Sequence, residues 1–90
     1  MSIDPPTYSV IVDKNIHKQL LLLPKKFLTP ILDRIKSLGH NPYPKGCKKL
    51  STTDESYRVR YSDYRIVYRI DSKARQIIIS GVRHRREVYR

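Results

Sequence analysis

The chain has 90 residues, and nineteen lysines and arginines against eight aspartates and glutamates give it a formal net charge of +11. The single cysteine, Cys47, excludes an intramolecular disulfide, and the longest apolar run, the four leucines before Pro24, is too short to span a bilayer. This length predicts one domain over residues 1–90, and the basic excess predicts a polyanionic partner, with nucleic acid ahead of a membrane surface. The first ten residues, MSIDPPTYSV, lack the features of a signal peptide, so we expect a soluble, cytoplasmic protein.

The first half of the chain predicts one strand and one short helix. Residues 8–12, YSVIV, are rich in β-branched residues and follow two prolines, as a strand would. Asn15 is the predicted N-cap of a helix whose apolar face is formed by Ile16, Leu20 and Leu23. Pro24 ends this helix.

A second helix is predicted around residues 27–38, where apolar residues recur at helical spacing, and Gly39 is expected to end it. Pro30 lies inside this pattern. Either it kinks the helix, or Thr29 is the N-cap and Pro30 occupies the first helical position, where its missing N–H costs nothing.

The second half predicts a basic loop and a sheet. Residues 40–50, HNPYPKGCKKL, have loop composition, and strands are predicted at 56–61, 64–70 and 76–83. Three consecutive isoleucines from Ile77 predict that the last strand is central and covered on both faces. The predicted fold is therefore α+β: an N-terminal strand, a two-helix hairpin and a three-stranded antiparallel meander in one twisted sheet.

The stretch YRVRYSDYRIVYRI, residues 57–70, alternates arginine with tyrosine or aliphatic residues. A two-residue Ser-Asp turn predicts that Tyr61 pairs with Tyr64 and Arg60 with Arg65. One face is then apolar and packs on the helices, and the other is rich in arginine. Like charges opposite each other destabilise a sheet by about 0.2 to 1 kcal/mol per pair. Solvated arginines whose stems shield the sheet would explain one or two such residues, but a face that binds phosphate better explains a facing pair.

These strands, together with the terminal IIISGVRHRREVY, resemble the RelE toxins of bacterial and archaeal type II toxin–antitoxin pairs over nearly the whole chain. The resemblance implies a microbial-ribonuclease-like fold and a ribosome-dependent endoribonuclease. Such an enzyme cuts mRNA in the 30S A site by attack of a ribose 2′-hydroxyl on the adjacent phosphate, without a metal or other cofactor. It also implies a cognate RelB-like antitoxin, contacts with rRNA, and operator DNA binding through that antitoxin. The residues implied as catalytic are Arg58, Arg60, Arg65, Arg83 and Tyr89; His84 is a further catalytic candidate because its side chain can exchange a proton.

Arg58 and Arg60 lie where the family has catalytic lysines. Because arginine does not give up its proton, these two residues can stabilise a phosphorane but are poor bases. Tyr89 is the first candidate to exchange a proton and His84, which strand alternation points away from Arg83, is the second.

The remaining basic residues predict contacts with RNA, although a solvated loop is the alternative for the three lysines. The histidines and Cys47 do not have metal-ligand spacing. Two other functions remain open: a ParE-like inhibitor of DNA gyrase, and a ribosome- or RNA-binding module that does not cleave. The predicted RNA-binding residues are Lys45, Lys48, Lys49, Arg69, Arg85 and Arg86.

Overall fold

The computed structural model describes residues 7–50 and 55–84, and the described chain forms two helices and one five-stranded sheet. The sheet order is β1-β5-β4-β3-β2; β1 is parallel to β5 and the other neighbours are antiparallel. The predicted α+β class is confirmed, with one strand, β2, that the sequence analysis assigned to a loop. The elements are β1 Ser9–Ile11, α1 Lys14–Leu21, α2 Lys25–Leu38, β2 Lys48–Lys49, β3 Ser56–Tyr61, β4 Tyr64–Asp71 and β5 Gln76–His84.

Both helix starts differ from the sequence prediction. The N-cap of α1 is Asp13, whose Oδ1 accepts a hydrogen bond from the Ile16 N–H at 2.9 Å, so the prediction of Asn15 was wrong. Asp13 reaches the N–H three residues on, as an N-cap side chain does. Helix α2 begins directly after Pro24 and continues through Pro30, so the alternative that placed Thr29 at the N-cap was also wrong.

The helices cover one face of the sheet and bury an apolar core against it. Ile31 and Leu38 of α2 are almost completely buried, and they pack in one cluster with Ile66 and Tyr68 of β4. The buried hydroxyl of Tyr68 donates a hydrogen bond to the Pro42 carbonyl at 2.7 Å, which supplies the partner that a buried hydroxyl needs.

The predicted β3–β4 register is confirmed at every residue, from Tyr61 opposite Tyr64 to Tyr57 opposite Tyr68. The connecting turn has Ser62 at a φ of 55°, a conformation that non-glycine residues rarely adopt. The tyrosines of this hairpin face the helices and belong to the core or pack against it. Burial, followed by the nearby Glu55 carboxylate, raises the pKa of Tyr57 to about 12, and burial also raises the pKa of Tyr68.

Strand β5 is an interior strand, between β1 and β4, as predicted. Its faces are not equally covered. Ile77 and Ile79 are fully buried beneath the helices, whereas Ile78 is only half-buried on the opposite face. The prediction that both faces are covered was therefore wrong at Ile78, because the helices pack on one side of the sheet only.

In the part of the chain that the structure describes, neither helix is long and apolar enough to cross a membrane.

Candidate nucleic-acid interface

Three arginines lie side by side across three adjacent strands, on the sheet face opposite the helices. Arg60 of β3 is directly opposite Arg65 of β4, and Arg65 is in turn directly opposite Arg83 of β5. We call Arg60, Arg65 and Arg83 the arginine row. Directly opposite residues have Cβ atoms about 4.5 to 5.5 Å apart, so the row concentrates three positive charges in a short distance.

The middle member of the row is the most buried. Arg65 is only 8% exposed, whereas Arg60 and Arg83 on either side are exposed. A buried arginine between two others costs free energy through desolvation and like-charge repulsion. A phosphate bound on the row would offset both costs, because its oxygens accept bidentate hydrogen bonds from guanidinium groups.

A β-bulge in β5 brings Arg83 onto this face. Ile79 pairs with Tyr68 and Gly81 pairs with Val67, so Ser80 is an extra residue in β5. Strict alternation from the buried Ile79 would point Arg83 at the helices. The extra residue reverses the alternation, which is how bulges redirect side chains near functional sites.

Beside the row, Val67 and Gly81 pair with each other, and because valine is small and glycine has no side chain, they make a shallow area on this sheet face. A Cβ atom placed on Gly81 would lie 3.6 Å from the Arg83 Nε, so the Arg83 side chain lies close to the glycine. Glycine within a strand often marks a position where a ligand approaches the backbone. Gly81 was not among the predicted site residues, although a glycine inside a β-branched strand is a visible signal in the sequence.

The remaining predicted cations are divided between the two faces. Arg58 pairs with Val67 and Arg69 lies two residues further along β4, so both are on the face of the arginine row. Lys48 of β2 is directly opposite Arg58 and shares that face, whereas Lys49 is opposite Tyr57 and lies on the other.

The other two lysines of the predicted RNA-binding loop differ from Lys48. The ammonium of Lys49 is 3.9 Å from a carboxylate oxygen of Glu55, in an exposed ion pair. Lys45 is exposed in the turn before β2, next to Gly46 at a φ of 90°. Of the three lysines, Lys48 is therefore the one that the sheet pairing brings beside the arginines.

His84 is on the helix side of the sheet, and its side chain points opposite to that of Arg83, as predicted. It is directly opposite Tyr64, and the two rings are 5.1 Å apart at 85°, an edge-to-face contact. His84 also lines a depression of about 350 Å³ together with Gln19, whose Oε1 accepts a hydrogen bond from the Val82 N–H at 3.2 Å. The side chains of His84 and Arg83 thus point to opposite faces of the sheet, although both residues line this depression.

The predicted residues Tyr89, Arg85 and Arg86 lie outside the described residues. Among residues 7–50 and 55–84, no group of three or more histidine, cysteine, aspartate or glutamate side chains is arranged to hold a metal ion.

Comparisons with known proteins agree with this fold. The family model described as the ParE toxin of the type II toxin–antitoxin system parDE matches residues 11–89. A protein of Methanocaldococcus jannaschii named "Putative toxin RelE1" is 34% identical over 86 residues, which cover 92% of this chain and 96% of that protein.

Two solved structures of toxin–antitoxin complexes contain chains with a similar fold. The archaeal RelE–RelB complex of Pyrococcus horikoshii OT3 matches with a TM-score of 0.79 and 33% identity, over 88% of this chain and 96% of the other. The RelBE2 complex of Mycobacterium tuberculosis matches with a TM-score of 0.76 and 26% identity, over 90% of this chain and 100% of the other. The extent of the family match and the level of identity establish that this chain belongs to the RelE/ParE superfamily of type II toxin–antitoxin toxins.

Proposed function

We propose that the protein is a ribosome-dependent endoribonuclease that cleaves mRNA in the 30S A site and thereby inhibits translation. The observation that carries this proposal is the arginine row on the sheet face opposite the helices. Arg60, Arg65 and Arg83 present planar donors that suit the two non-bridging oxygens of a phosphodiester. The exposed Arg69 and Lys48 border the same face and extend its positive field along an RNA backbone.

In the proposed reaction the ribose 2′-hydroxyl attacks the adjacent phosphate, forming a 2′,3′-cyclic phosphate and releasing a 5′-hydroxyl. The transition state carries extra negative charge on the phosphate oxygens, and preorganised cations on the row stabilise it. Arg58 is beside the row and acts in the same way. Tyr89 accepts the proton of the 2′-hydroxyl, since arginine cannot. The position of His84 on the opposite face supports its lower rank for this role.

A cognate RelB-like antitoxin is the proposed inhibitor. The relatives from P. horikoshii and M. tuberculosis are complexes of toxin with antitoxin, and a net charge of +11 favours an acidic partner. The proposed complex binds operator DNA through the antitoxin. The proposed site of action is the cytoplasm, where ribosomes and messages are found.

A second candidate is inhibition of DNA gyrase, because the matching family model carries the ParE name. Such an inhibitor would bind without cutting, and the arginine row would have no phosphodiester to cleave. A third candidate is an RNA-binding module that stalls ribosomes without cleavage.

A translation assay with purified ribosomes and a supercoiling assay with gyrase separate the three. The proposed function requires cleaved message with supercoiling unaffected. Arg65→Ala and Arg83→Ala should each slow single-turnover cleavage by about 10² to 10³, the usual cost of removing one preorganised charge from a site. Tyr89→Phe should slow cleavage by about 10² to 10⁴ without weakening ribosome binding.

Lys73→Ala is the matched control for loss of charge, because Lys73 is exposed in the β4–β5 turn, away from the arginine row. It should cleave at the wild-type rate. Intact message in the presence of active wild-type protein and ribosomes would contradict the proposal, and blocked supercoiling in its place would establish the gyrase alternative. If His84→Gln is inactive while Tyr89→Phe remains active, the ranking of the two proton acceptors is reversed.

A further inference from the structure

Within the described residues, the sheet pairing places a lysine, which can release a proton, at the edge of the face that carries the arginine row. Lys48 is exposed on β2 and directly opposite Arg58, and its diagonal neighbour on β3 is Arg60. Diagonal neighbours are about 7 to 8 Å apart, and a lysine side chain extends about 6 Å, so the ammonium can reach a phosphate bound at Arg60, the β3 end of the arginine row. The other described cations of this face, Arg58, Arg60, Arg65, Arg69 and Arg83, are guanidinium groups.

Cleavage of an RNA phosphodiester by its own 2′-hydroxyl requires two proton transfers. One proton leaves the attacking 2′-oxygen, and another must reach the departing 5′-oxygen, because an alkoxide is a poor leaving group. Guanidinium groups supply charge and hydrogen bonds but do not give up protons in proteins. The arginine row can therefore hold the phosphate, but it leaves the second transfer without a donor.

The position of Lys48 fits this second transfer. The attacking and leaving oxygens lie roughly in line across the phosphorus, so the proton acceptor and the proton donor belong on opposite sides of it. Lys48 lies on β2, beyond the β3 end of the row. The described part of β5 ends at His84, next to Arg83 at the opposite end of the row, and Tyr89 follows five residues later in the sequence.

We propose that Lys48 is the general acid that protonates the 5′-oxygen leaving group, an assignment that rests on the proposed endoribonuclease function. As the bond from the 2′-oxygen to phosphorus forms and the bond from phosphorus to the 5′-oxygen breaks, the Lys48 ammonium transfers one proton to the 5′-oxygen. The products are a 2′,3′-cyclic phosphate, a free 5′-hydroxyl and a neutral amine, which regains its proton from water. The step involves no change of oxidation state and no additional reactant.

The test compares two messages on the ribosome: an ordinary one, and one in which sulfur replaces the bridging 5′-oxygen at the cleaved bond. A thiolate leaves without being protonated, because it is a far weaker base than an alkoxide. Lys48→Met and Lys48→Arg should each cleave the ordinary message about 10² to 10³ slower than the wild type, the usual size of a general-acid contribution. Both variants should cleave the sulfur message within about threefold of the wild-type rate, because that message does not use the donor.

Lys48→Arg distinguishes proton donation from the effect of positive charge, since arginine keeps the charge but does not release a proton. Lys49→Met is the matched control, because Lys49 is the next residue and carries the same charge, but it lies on the other face. The ratio of the Lys49→Met cleavage rate to the wild-type rate should be the same on the ordinary message and on the sulfur message. Circular dichroism checks that each variant is folded.

Three results would overturn the assignment. Full activity of Lys48→Arg on the ordinary message would show that charge alone is needed. An equal loss on both messages would show that Lys48 binds or positions RNA without donating a proton. A wild-type protein that cleaves neither message would overturn the endoribonuclease function together with the assignment, whereas the first two results leave that function intact.

Discussion

Replacing Arg60 with glutamine should make the protein more stable and less active. Arg60 is directly opposite Arg65 in the register of β3 and β4. The substitution removes one of two facing positive charges while keeping a polar side chain at an exposed position. Cleavage should fall if the proposed function holds, because this function assigns the same charge to phosphate binding.

The size of the stability gain follows from the register. Opposite residues on neighbouring strands have Cβ atoms about 4.5 to 5.5 Å apart, and we take a separation of roughly 7 Å for the two longer guanidinium groups. At that separation, with an effective dielectric constant between about 40 and 80, two unit charges repel by about 0.6 to 1.2 kcal/mol. The free energy of unfolding should therefore rise by about 0.5 to 1 kcal/mol at low salt.

Urea unfolding at about 0.05 M and about 1 M salt measures this effect, because screening at high salt reduces the repulsion and should remove most of the gain. Arg69→Gln is the matched control: Arg69 is on the same face, but its cross-strand neighbours are Ser56 and Ile78. It should change the free energy of unfolding much less. If Arg60→Gln lowers stability, or if both variants behave alike at low salt, charge repulsion in the arginine row is not the cause.

Four further predictions concern the fold and the antitoxin. Tyr68→Phe should lower the free energy of unfolding by about 1 to 3 kcal/mol, because the buried Pro42 carbonyl loses its donor; thermal unfolding measures this loss. Folding raises the pKa of Tyr57 to about 12 and that of Tyr68 in the same direction, so the tyrosines stabilise the fold fully below about pH 10. That contribution should decline as the pH rises through the pKa values of the folded state, and the decline should be flatter in Tyr68→Phe. Identical pH profiles of stability for the wild type and Tyr68→Phe would contradict the raised pKa of Tyr68. Ser62→Gly should be more stable than Ser62→Ala by about 1 kcal/mol in urea unfolding, because only glycine adopts a φ of 55° without steric cost. In stopped-flow mixing, antitoxin association should slow by about tenfold or more between low and high salt; a rate independent of salt would refute electrostatic assistance.

The sequence by itself determined the β3–β4 hairpin and the composition of its two faces. Alternation over residues 57–70 and a two-residue turn sufficed to pair Arg60 with Arg65 and to place Tyr68 in the core. These features are local: they depend on a period of two and on a short loop, and both are visible in the chain. The ends of the helices were less determined, because Asp13 and Asn15 are both good N-cap residues and only the path of the chain selects between them.

Only the tertiary structure decided which cations meet at the arginine row. Arg83 reaches the face of Arg65 because Ser80 is an extra residue opposite β4, and a single sequence does not reveal where a strand bulges against its partner. Lys48 joins the same face because two residues of a loop-like segment pair with β3, whereas the adjacent Lys49 is directed away. Both outcomes depend on pairing between segments that are distant in the chain, and a shift of one residue in either pairing would send the side chain to the opposite face.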